Sequence, residues 1–262
     1  MKKIAILMYH RIGPDSESSR YVCASKAFER QMLWLRRSGL AVVGLEQIVR
    51  SSTGAESVPR GAVAVTFDDG HEDFCRYALP VLESLKIPAT MFVVAGKLGG
   101  TDDWMPADNP RMPLMAAEQV RELPRRGISV GSHSLTHPRL PELDDIALAH
   151  ELRESRERLS EVLEHPVDLL AYPYGLHDER VVRMARAAGY AGACSTRSGF
   201  NASGVDPMAL RRIDVYGTDS LRAFRHKLEL GVNDGTIHAR AGYLATRLIR
   251  KVGAFGGKRA LP

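Results

Sequence analysis

Two adjacent carboxylates, Asp68 and Asp69, close the apolar run 62–65 in the stretch Thr66-Phe67-Asp68-Asp69-Gly70. Ending a core strand on two acids carries a desolvation penalty unless a cation binds there, which makes this a candidate active-site mouth. A second polar cluster follows another apolar run: 128–131 opens into His133-Ser134-Leu135-Thr136-His137, with Pro138 directly behind. On a loop or one irregular turn, two imidazoles four residues apart can converge on one ion. An oxygen from Asp68 or Asp69 completes a two-histidine, one-carboxylate site with positions left for water and substrate. Zinc is the first expectation from this ligand chemistry, with cobalt, nickel or iron as alternatives. His-x-x-x-His alone is more often a surface pair and Asp-Asp-Gly alone a turn; together, each after an apolar strand, they favour a metal site. Adjacent residues at a strand end point in different directions, so one carboxylate can hold metal while the other takes a proton from the attacking water. Backbone amides after the 173–175 turn are placed to hold the resulting oxyanion. Ser132, Ser134 and Ser195 lie outside any Gly-x-Ser-x-Gly elbow, so serine hydrolysis is the weaker route.

Strand and helix patterns alternate around these clusters. Strands are expected over 4–9, 41–43, 62–67, 89–94, 128–131, 168–172, 191–194 and 210–215. Helices are expected over 26–37, 45–50, 78–85, 116–123, 144–163, 179–188 and 220–230. In the longest, Ile146, Leu152, Leu159 and Leu163 should face the core, while Glu151, Glu154 and Arg158 belong to a charged outer face. Segments 10–24, 51–61 and 96–113 read as loops. The last is long enough to be functional, and its Trp104 could stack on a sugar or pin the loop. Such alternation implies a mostly parallel sheet. Polar residues gather after several strands (His10, Asp68 with Asp69, His133 with His137, and Tyr174), which favours a barrel over an open doubly wound sheet.

A chain of 262 residues with 44% hydrophobic content suits one α/β domain spanning 1–262. A formal charge of +5, with Lys and Arg interleaved among Glu and Asp, argues against nucleic acid as a partner. Three widely spaced cysteines suit a reducing compartment better than a disulfide framework. The apolar start is interrupted by His10 and Arg11 before a leader could form, and no transmembrane span follows, so the expected location is cytoplasmic. Residues 236–262 carry Arg240, Arg247, Arg250, Lys251, Lys258 and Arg259 without a carboxylate side chain. This basic C-terminal extension suits a docked terminal helix or a peripheral contact with the inner face of an anionic membrane.

Taken in order, these motifs resemble the polysaccharide deacetylase family, the NodB-homology or family 4 carbohydrate esterases. Thr66-Phe67-Asp68-Asp69-Gly70 is similar to its first motif, His133-Ser134-Leu135-Thr136-His137 to its second and Tyr172-Pro173-Tyr174-Gly175 to its third. The resemblance implies a distorted or incomplete (β/α)7 barrel that removes N- or O-acetyl groups from saccharides or glycolipids. It also implies roles: Asp68 the general base, Asp69, His133 and His137 the metal ligands, and the Tyr174 backbone part of an oxyanion hole. The opening Met8-Tyr9-His10-Arg11 and the Ala-Tyr-Pro-Tyr-Gly third motif resemble a bacterial subgroup associated with exopolysaccharide genes. Two positions depart from the family. Ala171 stands where an arginine usually orients the base, and no Leu-x-His supplies the general acid near the C terminus. His10 is the expected substitute for that acid, with His226 and His177 behind it, whereas His71 and Asp73 read as residues outlying the site. A saccharide-binding scaffold on a decayed enzyme fold and an amidohydrolase on a non-sugar amide are the competing readings.

Overall fold

The computed structural model describes residues 3–17, 19–202 and 204–235. The basic C-terminal extension and its membrane contact therefore lie outside the described residues. In chain order the strands are β1 (Ala5–Tyr9), β2 (Arg11–Gly13), β3 (Val22–Ala24), β4 (Val63–Phe67), β5 (Ala89–Val93), β6 (Ile128–Ser132), β7 (Leu169–Ala171), β8 (Gly192–Cys194) and β9 (Ile213–Asp214). The helices are α1 (Ser25–Arg37), α2 (Leu45–Ser52), α3 (Asp73–Tyr77), α4 (Leu79–Leu85), α5 (Ala117–Glu122), α6 (Asp145–Leu163), α7 (Glu179–Ala187) and α8 (Leu221–Leu230).

Seven strands form one parallel sheet in the order β8-β7-β6-β5-β4-β1-β9, curled into an open, incomplete barrel. Because side chains alternate across a strand, the apolar residues divide into two cores. Leu7, Val65, Met91, Val130 and Leu170 pack outward with helix residues such as Phe28, Leu82 and Leu152. Ile6, Ala64, Phe92, Leu169, Ala171 and Cys194 belong to the inner cluster. The inner lining is tight: a Cβ on Gly131 would lie 2.5 Å from the Phe92 ring and 3.1 Å from the Leu169 carbonyl oxygen. Carried one residue past the strand ends, this inner parity reaches His10 after β1 and Asp68 after β4. The site is thus assembled at the C-terminal mouth of the sheet, where parallel α/β folds place their chemistry.

Segment 210–214 joins the two edges of the curl. Leu210 exchanges backbone hydrogen bonds with β8, donating to Ala193 O and accepting from Ser195 N, while Ile213 and Asp214 pair with β1. Most expected elements are present, with local differences. The expected strand at 41–43 is a single bridge from Val42 to Val63, and loop 10–24 contains the short parallel pair β2–β3. Two residues of α6 exchange their expected places: Ile146 is 85% exposed and Glu151 only 7%. Glu151 is inside because it has donors to satisfy, accepting from the amides of Leu135 (2.9 Å) and Thr136 (3.0 Å) and from Thr136 Oγ1 (2.5 Å).

Candidate active site

Glu151 explains how the His133–His137 turn keeps its shape. Ser134 and His137 both adopt positive φ, 65° and 66°, which costs L-residues roughly 1–2 kcal/mol each. The turn is held by Glu151 at its centre and by hydrogen bonds from Ser134 N to Ser132 Oγ and from His137 N to Ser134 Oγ. Asp69, at φ 75°, is bent in the same way just after β4. Three left-handed residues in two loops thereby turn ligand side chains toward one point.

At that point Asp69 Oδ1 lies 3.5 Å from His133 Nε2 and 3.6 Å from His137 Nε2. Ligands bound at about 2.0–2.1 Å in a tetrahedral zinc site stand about 3.3 Å apart, so the donor set and its spacing fit a divalent ion. His133 Nδ1 donates to Ala171 O at 2.8 Å, which leaves Nε2 as the lone-pair nitrogen. Burial, with His133 beside it, pushes the His137 imidazole down to about 3, so it is a neutral ligand at ordinary pH.

Asp68 has a different environment. Arg212 reaches across the interior and donates from Nη1 to Oδ1 (2.6 Å) and from Nη2 to Oδ2 (2.7 Å). Both side chains are buried, and the Arg212 Nε–H is taken by Ser195 O at 3.0 Å. Burial alone would raise the Asp68 carboxyl, but the Arg212 guanidinium and then His133 outweigh it and bring the group down to about 2. The partner absent at Ala171 is therefore supplied from the opposite side of the curl.

A cavity of about 820 Å³ is lined by Asp68, Asp69, His133 and His137 together with His10 and Tyr174. All six expected site residues thus surround one space. His226 and His177 are not in its lining. His226 Nδ1 faces Gly235 O, and His177 stacks on Tyr172 with ring centroids 4.7 Å apart. Tyr174 stands at the rim, 44% exposed, with its ring edge-on to His137 and Arg139 over it. The Gly175 and Leu176 amides are spent inside the turn on Tyr172 O and Pro173 O. Among the described residues the Tyr174 amide has no acceptor.

The polysaccharide deacetylase family matches residues 55–193, a span that contains both carboxylates, both histidines and the tyrosine turn. The chain belongs to the polysaccharide deacetylase family. Among curated proteins, it is 27% identical to YxkH of Bacillus subtilis (strain 168), assigned to the polysaccharide deacetylases, over 87% of this chain and 76% of YxkH. A poly-beta-1,6-N-acetyl-D-glucosamine N-deacetylase of Staphylococcus aureus (strain MSSA476) is 22% identical over 70% of this chain and 68% of its own. Among solved structures, IcaB from Ammonifex degensii superposes with a TM-score of 0.71 at 28% identity, covering 82% of this chain and 92% of that one.

Two charged residues beside this cavity escape motif reading. Arg212 and Asp214 occupy the segment 210–215, expected only as a strand. Their signal is parity: two opposite charges at i and i+2 share a strand face, and here that face is the barrel interior. Asp214 lines the same cavity, pairs in register with Met8, and has a buried Oδ1 without a hydrogen-bond partner among the described residues. Burial raises its carboxyl, with the His10 charge the largest opposing influence.

Proposed function

We propose that this protein removes N-acetyl groups from a bacterial poly- or oligosaccharide by metal-dependent hydrolysis. The observation that carries this reading is the meeting of Asp69 Oδ1, His133 Nε2 and His137 Nε2 beside an Arg212-held carboxylate in one cavity. A divalent ion held by these three residues, zinc on the donor set and spacing, would polarise the acetyl carbonyl and acidify the attacking water.

Asp68 is the proposed base. Each carboxylate oxygen has two lone pairs, so the two bonds from Arg212 leave one on each oxygen to orient water and receive its proton. The Tyr174 amide faces no competing acceptor in its own turn and serves as the oxyanion donor. His10, at the C-terminal end of β1, delivers a proton to the departing amine nitrogen, with the Asp214 carboxylate from β9 lining the same cavity. The products are acetate and a free amino sugar. The arrangement answers the motive for a scaffold reading, since the base has its arginine after all.

The similarity to the staphylococcal enzyme supports an N-acetylglucosamine polymer as the substrate class. The three free thiols, Cys23, Cys75 and Cys194, support a reducing compartment, which we take to be the cytoplasm. The test is an acetate-release screen over N-acetylated and O-acetylated glycans, with metal-stripped and zinc-restored protein. Release from an N-acetylated glycan that is lost on stripping and regained with zinc is the expected result. Full activity after verified stripping would overturn the mechanism.

A further inference from the structure

The support around the three ligands is uneven. His133 donates its second nitrogen to a carbonyl, as metal-binding histidines usually do. His137 does not: its Nδ1 is buried with no hydrogen-bond partner among the described residues. What lies against its ring is Trp104, stacked at 4.6 Å and 23°. Asp69 uses Oδ1 toward the histidines, and its other oxygen, Oδ2, faces His71 Nδ1 at 3.9 Å. His71 in turn has Nε2 3.3 Å from Asp102 Oδ2, while Asp102 Oδ1 accepts from the Met112 amide at 2.6 Å. His71 and Asp102 are both buried, 5% and 4% exposed.

Trp104 and Asp102 belong to the same excursion between β5 and α5. Its two limbs form a ribbon, with Thr101 bridged to Pro113 and Leu114 N donating to Gly100 O. The base of the ribbon is fastened beside Asp69: Met115 N donates to Gly70 O, and Glu72 N to Pro113 O. One ribbon therefore bears on two of the three ligands by different means: a ring face on His137, and toward Asp69 the buried His71 imidazole that Asp102 holds, whose Nδ1 stands 3.9 Å from Oδ2 and makes no hydrogen bond among the described residues.

We infer that residues 99–115 are a built part of the metal centre, with Asp102 acting through His71 on Asp69 and Trp104 acting on His137 as positioning residues. This rests on the metal reading of Asp69, His133 and His137. By linkage, a ribbon that favours metal binding is itself favoured by metal, so loading the site stabilises the closed pairing of the ribbon. Trp104 is accordingly engaged on one face before any sugar arrives.

The experiment measures Zn²⁺ affinity by competition with a chromogenic chelator for the full chain and four variants, alongside the melting of each metal-free protein. Asp102→Asn keeps the size and an acceptor for Met112 but cannot accept from His71 through its amide nitrogen. Trp104→Ala removes the ring, Trp104→Phe restores an aromatic face, and Asp103→Ala, which breaks only the exposed pair with Lys97, is the control. Losing such outer support weakens metal binding by about 10- to 100-fold. That loss is expected in Asp102→Asn and Trp104→Ala at unchanged metal-free melting, with Trp104→Phe and Asp103→Ala near wild type. In the wild-type protein, amide hydrogen exchange over 99–115 should slow when Zn²⁺ is added. Wild-type affinity in both Asp102→Asn and Trp104→Ala, or exchange in the ribbon that ignores Zn²⁺, would overturn the inference while leaving the metal site intact. A wild-type chain that binds no Zn²⁺ would instead overturn the metal reading and this inference with it.

Discussion

Replacing Arg212 by methionine should convert Asp68 from a permanently charged group into one that titrates within the working pH range. The substitution keeps most of the unbranched stem while removing both bonds to the carboxylate, at 2.6 and 2.7 Å. Hydrogen bonds to charged groups contribute about 1.5–3 kcal/mol each, so about 3–6 kcal/mol that favours the ionised form is lost. At 1.36 kcal/mol per pH unit, this corresponds to a rise of roughly 2–4 units. Starting from about 2, the Asp68 carboxyl should arrive at about 4–6, because the burial that Arg212 now outweighs is left to act. The assay is kcat/KM for acetate release from about pH 4 to 8, with zinc content and circular dichroism checked at each pH. The variant should gain an acidic limb inside that window where the wild type has none from this group. Arg212→Lys, a single ammonium in place of a fork, should fall between the two. An acidic limb that stays in place in Arg212→Met would show that Asp68 is not the base, or that Arg212 does not set its charge.

The remaining expectations concern the turn, the ligand and the acid. Glu151→Gln withdraws an anionic acceptor from two amides and a hydroxyl, and should lower stability by about 1–3 kcal/mol in urea denaturation, with weaker zinc binding. An unchanged midpoint and unchanged affinity would refute the role given to it. For His137 the folded value is depressed to about 3 from an ordinary 6.5, so below about 6.5 the unfolded chain binds more protons than the fold. Its contribution to stability is complete above that pH and is lost as pH falls toward 3. Metal-free wild type should therefore lose more stability between about pH 7 and 5 than metal-free His137→Asn, measured by urea midpoints. His10→Ala should slow acetate release by about 10²- to 10⁴-fold. Wild-type rates at every pH would remove His10 from the mechanism.

The metal ligands were legible because their motifs combine chemistry with position: two acids and two imidazoles, each directly after an apolar strand. Arg212 was not, because its partner lies 144 positions earlier in the chain and on another strand. Local spacing carries no trace of such a pair. The strand expected over 210–215 put both charges on one face, but nothing local told whether that face was the interior or the outside. On α6, default hydropathy placed Ile146 inside and Glu151 outside, and the reverse holds. A carboxylate follows its hydrogen-bond donors, and those of Glu151 belong to a loop whose bent shape is itself a tertiary product. Strands β2 and β3, three residues each, were too short to show a period and were read as loop. The ribbon around Trp104 was recognisable as a long functional loop, but which ligand it served depended on how its base was fastened.

The joining of both sheet edges by 210–214 makes the charge state of the base depend on closure of the curl. Residues 55–193, the family-matched portion, contain every proposed metal ligand and the base itself, whereas Arg212 enters only when the late segment closes against β8 and β1. A nascent or nicked chain that ends before this segment would own the parts of a metal centre while leaving a buried Asp68 without its counter-charge. Ionising that acid would then oppose compaction, and the loosely closed chain would favour it protonated. Catalytic competence therefore depends on closure of the curl by 210–214, a segment outside the family-matched portion.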